Sequence, residues 1–297
     1  MPKAQKNGNG EFLTCPYPNP EFVEAFGEAI KLAEKKNGDI IIATDPDADR
    51  IGVMVKHNGS YVKLTGNEVA YVFAEHLIDI NKEKNRYVVT SVVTSPLLET
   101  MCEVNNVEFH KTLTGFLSLG TKAKELSDKY GKENQVLVCE ESCGYVVKNT
   151  YFDKDGIYAT LMLCDIAENL KKQNKTLIDY LDDIYQKYGH LATIGDSVKY
   201  EGVNSKQKMN SAVDNLRNNA PKTIDGEDIT EVIDYLNDNT GLKKQNFLKF
   251  SSQNITFIIR PSGTEPKLKI YLFVKGNSNQ EVKERADKVL GEIKLIL

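Results

Sequence analysis

Three aspartates stand at alternate positions in Thr44-Asp45-Pro46-Asp47-Ala48-Asp49-Arg50, directly after the apolar run Ile40-Ile41-Ile42-Ala43. In an extended segment such residues point the same way. Carboxylates converging like this repel one another unless a cation sits among them. Hard oxygen donors suit Mg²⁺, Mn²⁺ or Ca²⁺. An EF-hand also opens D-x-D-x-D, but it needs glycine in sixth place and a bidentate glutamate in twelfth. Counted from Asp45, those places hold Arg50 and Lys56, which excludes it. The competing reading is a solvated acidic loop.

Two further segments carry chemistry. Arg260-Pro261-Ser262-Gly263-Thr264-Glu265-Pro266-Lys267 offers a guanidinium fork, two hydroxyls, an ammonium and a glycine that admits backbone N–H groups to a ligand. That set suits a phosphate dianion; a rigid Pro/Gly hairpin loop is the alternative. Glu140-Glu141-Ser142-Cys143-Gly144-Tyr145 places a carboxylate and a hydroxyl two residues apart, a pairing that can hydrogen-bond a sugar diol. A helix cap or turn uses the same residues. Thr112-Leu113-Thr114-Gly115-Phe116 is a substrate loop or a turn into a helix, and Lys154 lies in a polar loop. His57, His76, His110 and His190 form no ligand cluster, and Cys139 and Cys143 have no partner histidine motif.

The elements that must position these loops follow from periodicity. The spacing predicts a helix over 22–36, with Phe22, Ala25, Phe26, Ala29, Ile30 and Ala33 on one face. Ile40–Ala43 reads as a strand buried on both faces, the parallel-sheet kind. Strands over 51–56 and 61–64 flank the turn His57-Asn58-Gly59-Ser60. Helices over 67–80, 97–105, 118–130, 156–172 and 177–188 then alternate with strands over 87–93, 107–111 and 135–139. Such alternation argues for a parallel sheet flanked by helices. Beyond Gly189, helices over 205–218 and 229–236 precede an antiparallel pair over 255–259 and 268–274, and a helix over 279–296 closes the chain. The expected fold class is therefore α/β, with parallel sheet domains flanked by helices and a C-terminal α+β domain. The expected divisions are 1–64 with the aspartate loop, 65–189 with the Glu140 loop, and 190–297 with the Arg260 loop.

Composition sets the outer limits. The chain has 297 residues, 40% hydrophobic and 27% charged, the balance of a folded soluble protein. A net charge of −4 without a basic stripe gives no reason to expect nucleic acid. Five cysteines without C-x-x-C argue against a disulfide framework and fit a reducing cytosol. Residues 1–10 lack a signal-peptide core, and no run approaches the ~18 apolar residues of a membrane span. The expected location is cytoplasmic, with no membrane partner.

Taken together, the three loops resemble those of the α-D-phosphohexomutase superfamily, in its order and at about its separations, across nearly the whole chain. Asp45–Arg50 resembles the metal loop, Glu140–Gly144 the sugar-binding loop and Arg260–Thr264 the phosphate-binding loop. Thr112–Phe116 and Asp153-Lys154-Asp155-Gly156 match the phosphoglucomutase branch. The family's fold is three related α/β domains and a smaller α+β one, and this chain would begin inside the second. The family's first domain carries a phosphoserine in a Thr-Ala-Ser-His-Asn-Pro-like loop, and no such segment occurs here. Missing N-terminal domains of the same polypeptide are the expected partner.

The resemblance implies transfer of a phosphoryl group between O1 and O6 of glucose phosphate through a 1,6-bisphosphate. Asp45, Asp47 and Asp49 would hold Mg²⁺, with Arg50 near the phosphoserine phosphate. Glu140 and Ser142 would grip sugar hydroxyls, and Thr114 and Gly115 would form part of the substrate loop. Arg260, Ser262, Gly263, Thr264 and Lys267 would hold the other phosphate. Lys154 matches a lysine proposed as proton donor or acceptor, a role that needs a lowered pKa. Two other readings stay open: a phosphatase using an aspartate nucleophile, and a non-enzymatic sugar-phosphate-binding module. The double-glutamate sugar loop looks more like glucose enzymes than mannose or glucosamine ones, and the Thr112–Phe116 pattern leaves pentose phosphates open.

Overall fold

In the computed structural model, which describes residues 1–297, the aspartate loop joins two neighbouring antiparallel strands. A short 3₁₀ turn at Val23–Phe26 leads into α1 (Gly27–Lys36). β1 (Ile40–Thr44), β2 (Ile51–His57) and β3 (Ser60–Leu64) then form a sheet in that order, antiparallel throughout. This corrects the parallel, doubly buried reading of Ile40–Ala43. The connection from Thr44 to Ile51 is too short for a crossover, so the next strand must return antiparallel. β1 is an edge strand whose side chains are mostly half-buried, while Ile51–Val55 at the centre are buried. Asn58 and Gly59 both have positive φ, the conformation a tight two-residue hairpin demands.

α2 (Gly66–Ile80) opens with a capping box, in which the Thr65 side chain and the Glu68 backbone and side chain bond reciprocally. The expected alternation follows: β4 (Tyr87–Ser91), α3 (Leu97–Val104), β5 (Glu108–Thr112), α4 (Phe116–Tyr130) and β6 (Gln135–Glu140). β7 (Gly144–Val146) folds back on β6, so Tyr145 lies in a strand and not in the expected loop. The sheet order is β5-β4-β6-β7, with β4 parallel to both neighbours. α5 (Gly156–Lys172) and α6 (Leu177–Tyr188) complete this part. Residues Met1–Lys187 form one compact unit and Tyr188–Leu297 another.

The second unit holds β8 (His190–Lys199), α7 (Ser205–Asn218), β9 (Thr223–Ile224), β10 (Glu227–Asp228), β11 (Glu231–Asp234), β12 (Leu248–Ser251), β13 (Ile255–Pro261), β14 (Lys267–Gly276) and α8 (Asn279–Leu295). Its main sheet is five-stranded and antiparallel, β11-β12-β13-β14-β8, not a simple pair. The helix expected over 229–236 is strand β11. Val232 and Ile233 favour a pleated surface, and Glu231–Asp234 pair with Leu248–Ser251. β8 escapes periodicity because Gly195, Asp196 and Ser197 dilute its apolar signal, yet it pairs with β14 along its whole length. Leu268, Ile270, Leu272 and Val274 pack against Val282, Ala286, Val289 and Ile293 of α8 to form the core.

Candidate active site

The loop between β1 and β2 does not run extended, as alternation alone would have it. The Ala48 amide donates to the Asp45 carbonyl at 3.1 Å, and Ala48 takes a left-handed φ of 58°. The turn still gathers the aspartates: one carboxylate oxygen from each of Asp45, Asp47 and Asp49 lies within 4.8 Å of the others. Asp45 is 5% exposed, Asp49 is half-buried and Asp47 is exposed.

Two cations hold this loop. The Arg50 amide donates to Asp45 Oδ1 at 3.1 Å and its Nε to Oδ2 at 2.7 Å, while its other nitrogen meets Glu21 at 3.2 Å. Lys154 Nζ lies 2.9 Å from Asp49 Oδ2. Burial works to raise the Asp45 pKa, but the Arg50 hydrogen bonds outweigh it and hold the carboxyl below its ordinary value. Burial dominates at Asp49, and with the Asp45 charge it raises that carboxyl despite Lys154. Burial alone would lower Lys154, but Asp49 and Glu140 overcome it and hold the ammonium above its ordinary value. Lys154 therefore stands as an ammonium, without the lowered pKa that a proton-accepting role demands.

The Glu140 loop lies against the aspartate loop. Arg50 and Gly144 form an antiparallel bridge, and the Ile51 amide donates to the Cys143 carbonyl at 3.1 Å. Cys143 is buried with φ 70°. A Cβ on Gly144 would fall 2.3 Å from Lys154 Cδ and 2.9 Å from Glu140 Oε1, so the absent side chain is the space through which Lys154 passes. A Cβ on Gly156 would fall 2.6 Å from the Ala48 carbonyl oxygen, which seats the start of α5 on the aspartate loop. Burial, reinforced by the Glu141 charge, pushes Glu140 up to about 7 against the pull of Lys154, the Ser142 hydroxyl and Arg50. Glu141 is anchored, its Oε2 accepting from Ser91 at 3.0 Å and Thr94 at 3.4 Å.

Thr114 and Gly115 follow the carboxyl end of β5, where open α/β sheets bind ligands. Gly115 has φ 102°, and the buried Thr114 Oγ1 has no hydrogen-bond partner. The ring of the next residue, Phe116, has its centroid 4.8 Å from Lys154 Nζ. The structure thus brings together Asp45, Asp47, Asp49, Arg50, Glu140 and Lys154, and links Thr114 and Gly115 to them only through Phe116, the next residue in the chain. Sequence reasoning missed the anchoring role of Glu141, the passage at Gly144 and the partnership of Glu21 with Arg50. Glu21 lies 29 positions from its partner, and no local pattern signals it.

In the second unit, Ser262–Pro266 is the hairpin connection between β13 and β14. The Ser262 amide closes the turn on the Lys267 carbonyl at 2.9 Å, and the Glu265 amide reaches Ser262 Oγ at 3.4 Å. The amides of Gly263 and Thr264 and the Arg260 guanidinium have no partner within the chain. Ser262 and Thr264 hydroxyls lie 3.4 Å apart. Lys267 is committed to Glu265 at 2.5 Å, so it is less available to a ligand than Arg260. Lys269 pairs with Arg260 in register and Lys199 with Lys267, making this end of the sheet cationic.

The donor set of the aspartate loop fits a hard divalent cation: three carboxylates, one of them without any protein partner at Asp47. No helix is long and apolar enough to cross a membrane.

The chain thus comprises an α/β unit whose aspartate loop is bridged to its Glu140 loop, and an α+β unit whose β13–β14 hairpin lies at a basic end of its sheet. The chain belongs to the phosphoglucomutase/phosphomannomutase family: residues 2–59 match its α/β/α domain II, 65–188 its α/β/α domain III and 203–292 its C-terminal domain. It is similar to a phosphoglucomutase of Staphylococcus aureus (strain USA300), 30% identical over 97% of this chain and 54% of the relative. It is 36% identical to a Haemophilus influenzae protein named "Probable phosphomannomutase", over 96% of this chain and 55% of that one. The chain spans about half the length of the curated relatives it matches. Among solved structures, pp63/parafusin, a Paramecium phosphoglucomutase, shares the fold with a TM-score of 0.64 at 22% identity, covering 94% of this chain and 49% of that one. A phosphoglucomutase/phosphomannomutase family protein from Burkholderia thailandensis gives 0.62 at 18% identity, over 93% and 50%.

Proposed function

We propose that this chain supplies the metal, sugar and phosphate loops of a cytoplasmic phosphohexomutase that interconverts glucose 1-phosphate and glucose 6-phosphate through a 1,6-bisphosphate. The observation that carries the reading is the interlock of the aspartate loop with the Glu140 loop through the Arg50–Gly144 bridge and the Asp49–Lys154 ion pair. Asp45, Asp47 and Asp49 would hold Mg²⁺, which when bound supplies charge neutralisation for phosphoryl transfer. Arg50 fixes the Asp45 carboxylate and would assist near the transferred phosphate. Lys154, a standing ammonium, donates toward the substrate. Glu140, titrating near neutral pH, and Ser142 bind adjacent sugar hydroxyls. The unpartnered Thr114 hydroxyl offers a further bond to the sugar. Arg260 and the amides of Gly263 and Thr264 bind the non-reacting phosphate, with the hydroxyls of Ser262 and Thr264 beside them and Lys267 available once it leaves Glu265.

The mutase route needs a phosphoryl group already on the enzyme, because the substrate receives one before it returns one. No serine in these 297 residues lies in the family's carrier context. Positioning loops accelerate a reaction only where a nucleophile is present to exploit them. The chain by itself is therefore expected to be inactive. A coupled assay with Mg²⁺ and glucose 1,6-bisphosphate tests this, with a full-length relative as positive control. Turnover by the 297-residue chain near the control rate would overturn it, and a trapped phospho-aspartate would point to a phosphatase instead.

A further inference from the structure

We infer that Phe116 is a positioning residue for Lys154: its ring seats the ammonium against Asp49, so that this ammonium and a divalent cation compete for one carboxylate. The inference rests on the reading of Asp45, Asp47 and Asp49 as a metal site.

Three contacts define the seat. Lys154 Nζ is 2.9 Å from Asp49 Oδ2 and 4.8 Å from the Phe116 ring centroid. Its stem crosses Gly144 at a place where any Cβ would collide with Cδ. The side chain is 15% exposed, against 77% for the neighbouring Asp153 that meets it more loosely at 3.8 Å. Phe116 itself is fixed: it is buried among Tyr87, Leu119, Ala123 and Val138, and it begins α4 directly after Gly115. The ring therefore does not follow the lysine; the lysine settles on the ring. A cation over an aromatic face is attracted most where water is excluded.

The consequence is a competition. Asp45 is held by Arg50, Asp49 by Lys154, and Asp47 has no partner. A cation recruiting all three carboxylates must draw Asp49 away from Lys154 or bear the repulsion of a near ammonium. Whatever strengthens the seat of Lys154 weakens metal binding, and whatever loosens it frees the ammonium for a substrate oxygen. Phe116 thereby couples the substrate loop, in which it sits, to the charge state of the aspartate loop.

Calorimetry with Mg²⁺ on the whole chain tests this through Phe116→Leu, Phe116→Tyr, Lys154→Met and the Phe116→Leu/Lys154→Met double variant. Loss of the ring should tighten Mg²⁺ binding about threefold. Loss of the ammonium should tighten it about tenfold or more. Tyrosine should restore the original affinity, and Phe116→Leu should add nothing once Lys154 is gone. An effect of Phe116→Leu that persists in the Lys154→Met background would overturn the inference, because a packing defect acts without the lysine. A second measurement needs no metal: in lysine-labelled protein the Lys154 Cε proton resonance should carry a ring-current shift that Phe116→Leu abolishes. If no variant binds Mg²⁺, the metal reading of the aspartate loop falls while this resonance still decides the placement of Lys154. An unmoved resonance refutes it.

Discussion

Glu140→Gln isolates the most perturbed carboxyl of the site. Burial and the neighbouring Glu141 lift Glu140 from the ordinary 4.5 to about 7. Below pH 4.5 both the folded and the unfolded chain carry the proton, and the residue contributes no pH dependence. Between 4.5 and 7 the folded state alone keeps it, so stability falls as pH rises. Above 7 both states are ionised and the full cost of a buried charge is present. At about 1.4 kcal/mol per pH unit, the interval corresponds to roughly 3 kcal/mol. Glutamine holds a neutral side chain of nearly the same shape at every pH. The variant should therefore match the parent near pH 4.5 and exceed it by roughly 2–3 kcal/mol at pH 8. Urea unfolding followed by circular dichroism at pH 5, 6, 7 and 8 measures this. Two compact units predict two transitions, and only that of Met1–Lys187 should respond. Parent and variant curves that stay parallel across this range would refute the reasoning.

Asp47→Asn should weaken Mg²⁺ binding about tenfold or more by removing the one aspartate free of protein partners, and unchanged affinity in calorimetry would count against the site. Gly263→Ala should leave stability within ~0.5 kcal/mol, since a Cβ there meets nothing within 4 Å. The same substitution should weaken inorganic phosphate binding, read from amide shifts at residues 263 and 264, because the new methyl crowds the two free N–H groups. Glucose 1-phosphate should slow amide exchange in residues 262–264, and equal exchange with and without it would remove the phosphate role from this hairpin.

The long helices and the parallel strands β4, β5 and β6 were legible because each carries an apolar pattern of its own period. The misreadings share one cause: a strand's own residues do not say which strands will pair with it. Ile40–Ala43 has the continuous apolar run of a doubly covered strand, yet it lies at an edge, because its sequence neighbour returns beside it. Glu231–Asp234 and His190–Lys199 are strands whose partners, Leu248–Ser251 and Lys267–Gly276, are distant or poorly signalled locally. At the candidate site, residue types were legible and linkage was not. Lys154 stands in an ordinary polar loop by sequence, and nothing local shows that Gly144 opens its path to Asp49 or that Phe116 lies under its amine.

The candidate sites of the two units carry opposite imbalances of charge. In the first, four carboxyls at Asp45, Asp47, Asp49 and Glu140 face the two cations Arg50 and Lys154. Burial is the largest influence on those carboxyls that shift: it raises Glu140 and Asp49, each reinforced by a neighbouring carboxylate, while the Arg50 hydrogen bonds hold Asp45 down. Carboxyls gathered this closely repel one another, and a divalent cation among them would relieve that repulsion. In the second unit the imbalance is reversed: Arg260, Lys199, Lys267 and Lys269 gather at one end of the sheet, with Glu265 the acid among them. An anionic ligand meets repulsion at the first unit unless a cation accompanies it, and attraction at the second without help. Phosphate binding at residues 260–264 should therefore be insensitive to Mg²⁺, whereas any binding of the sugar phosphate at Glu140 and Ser142 should require it.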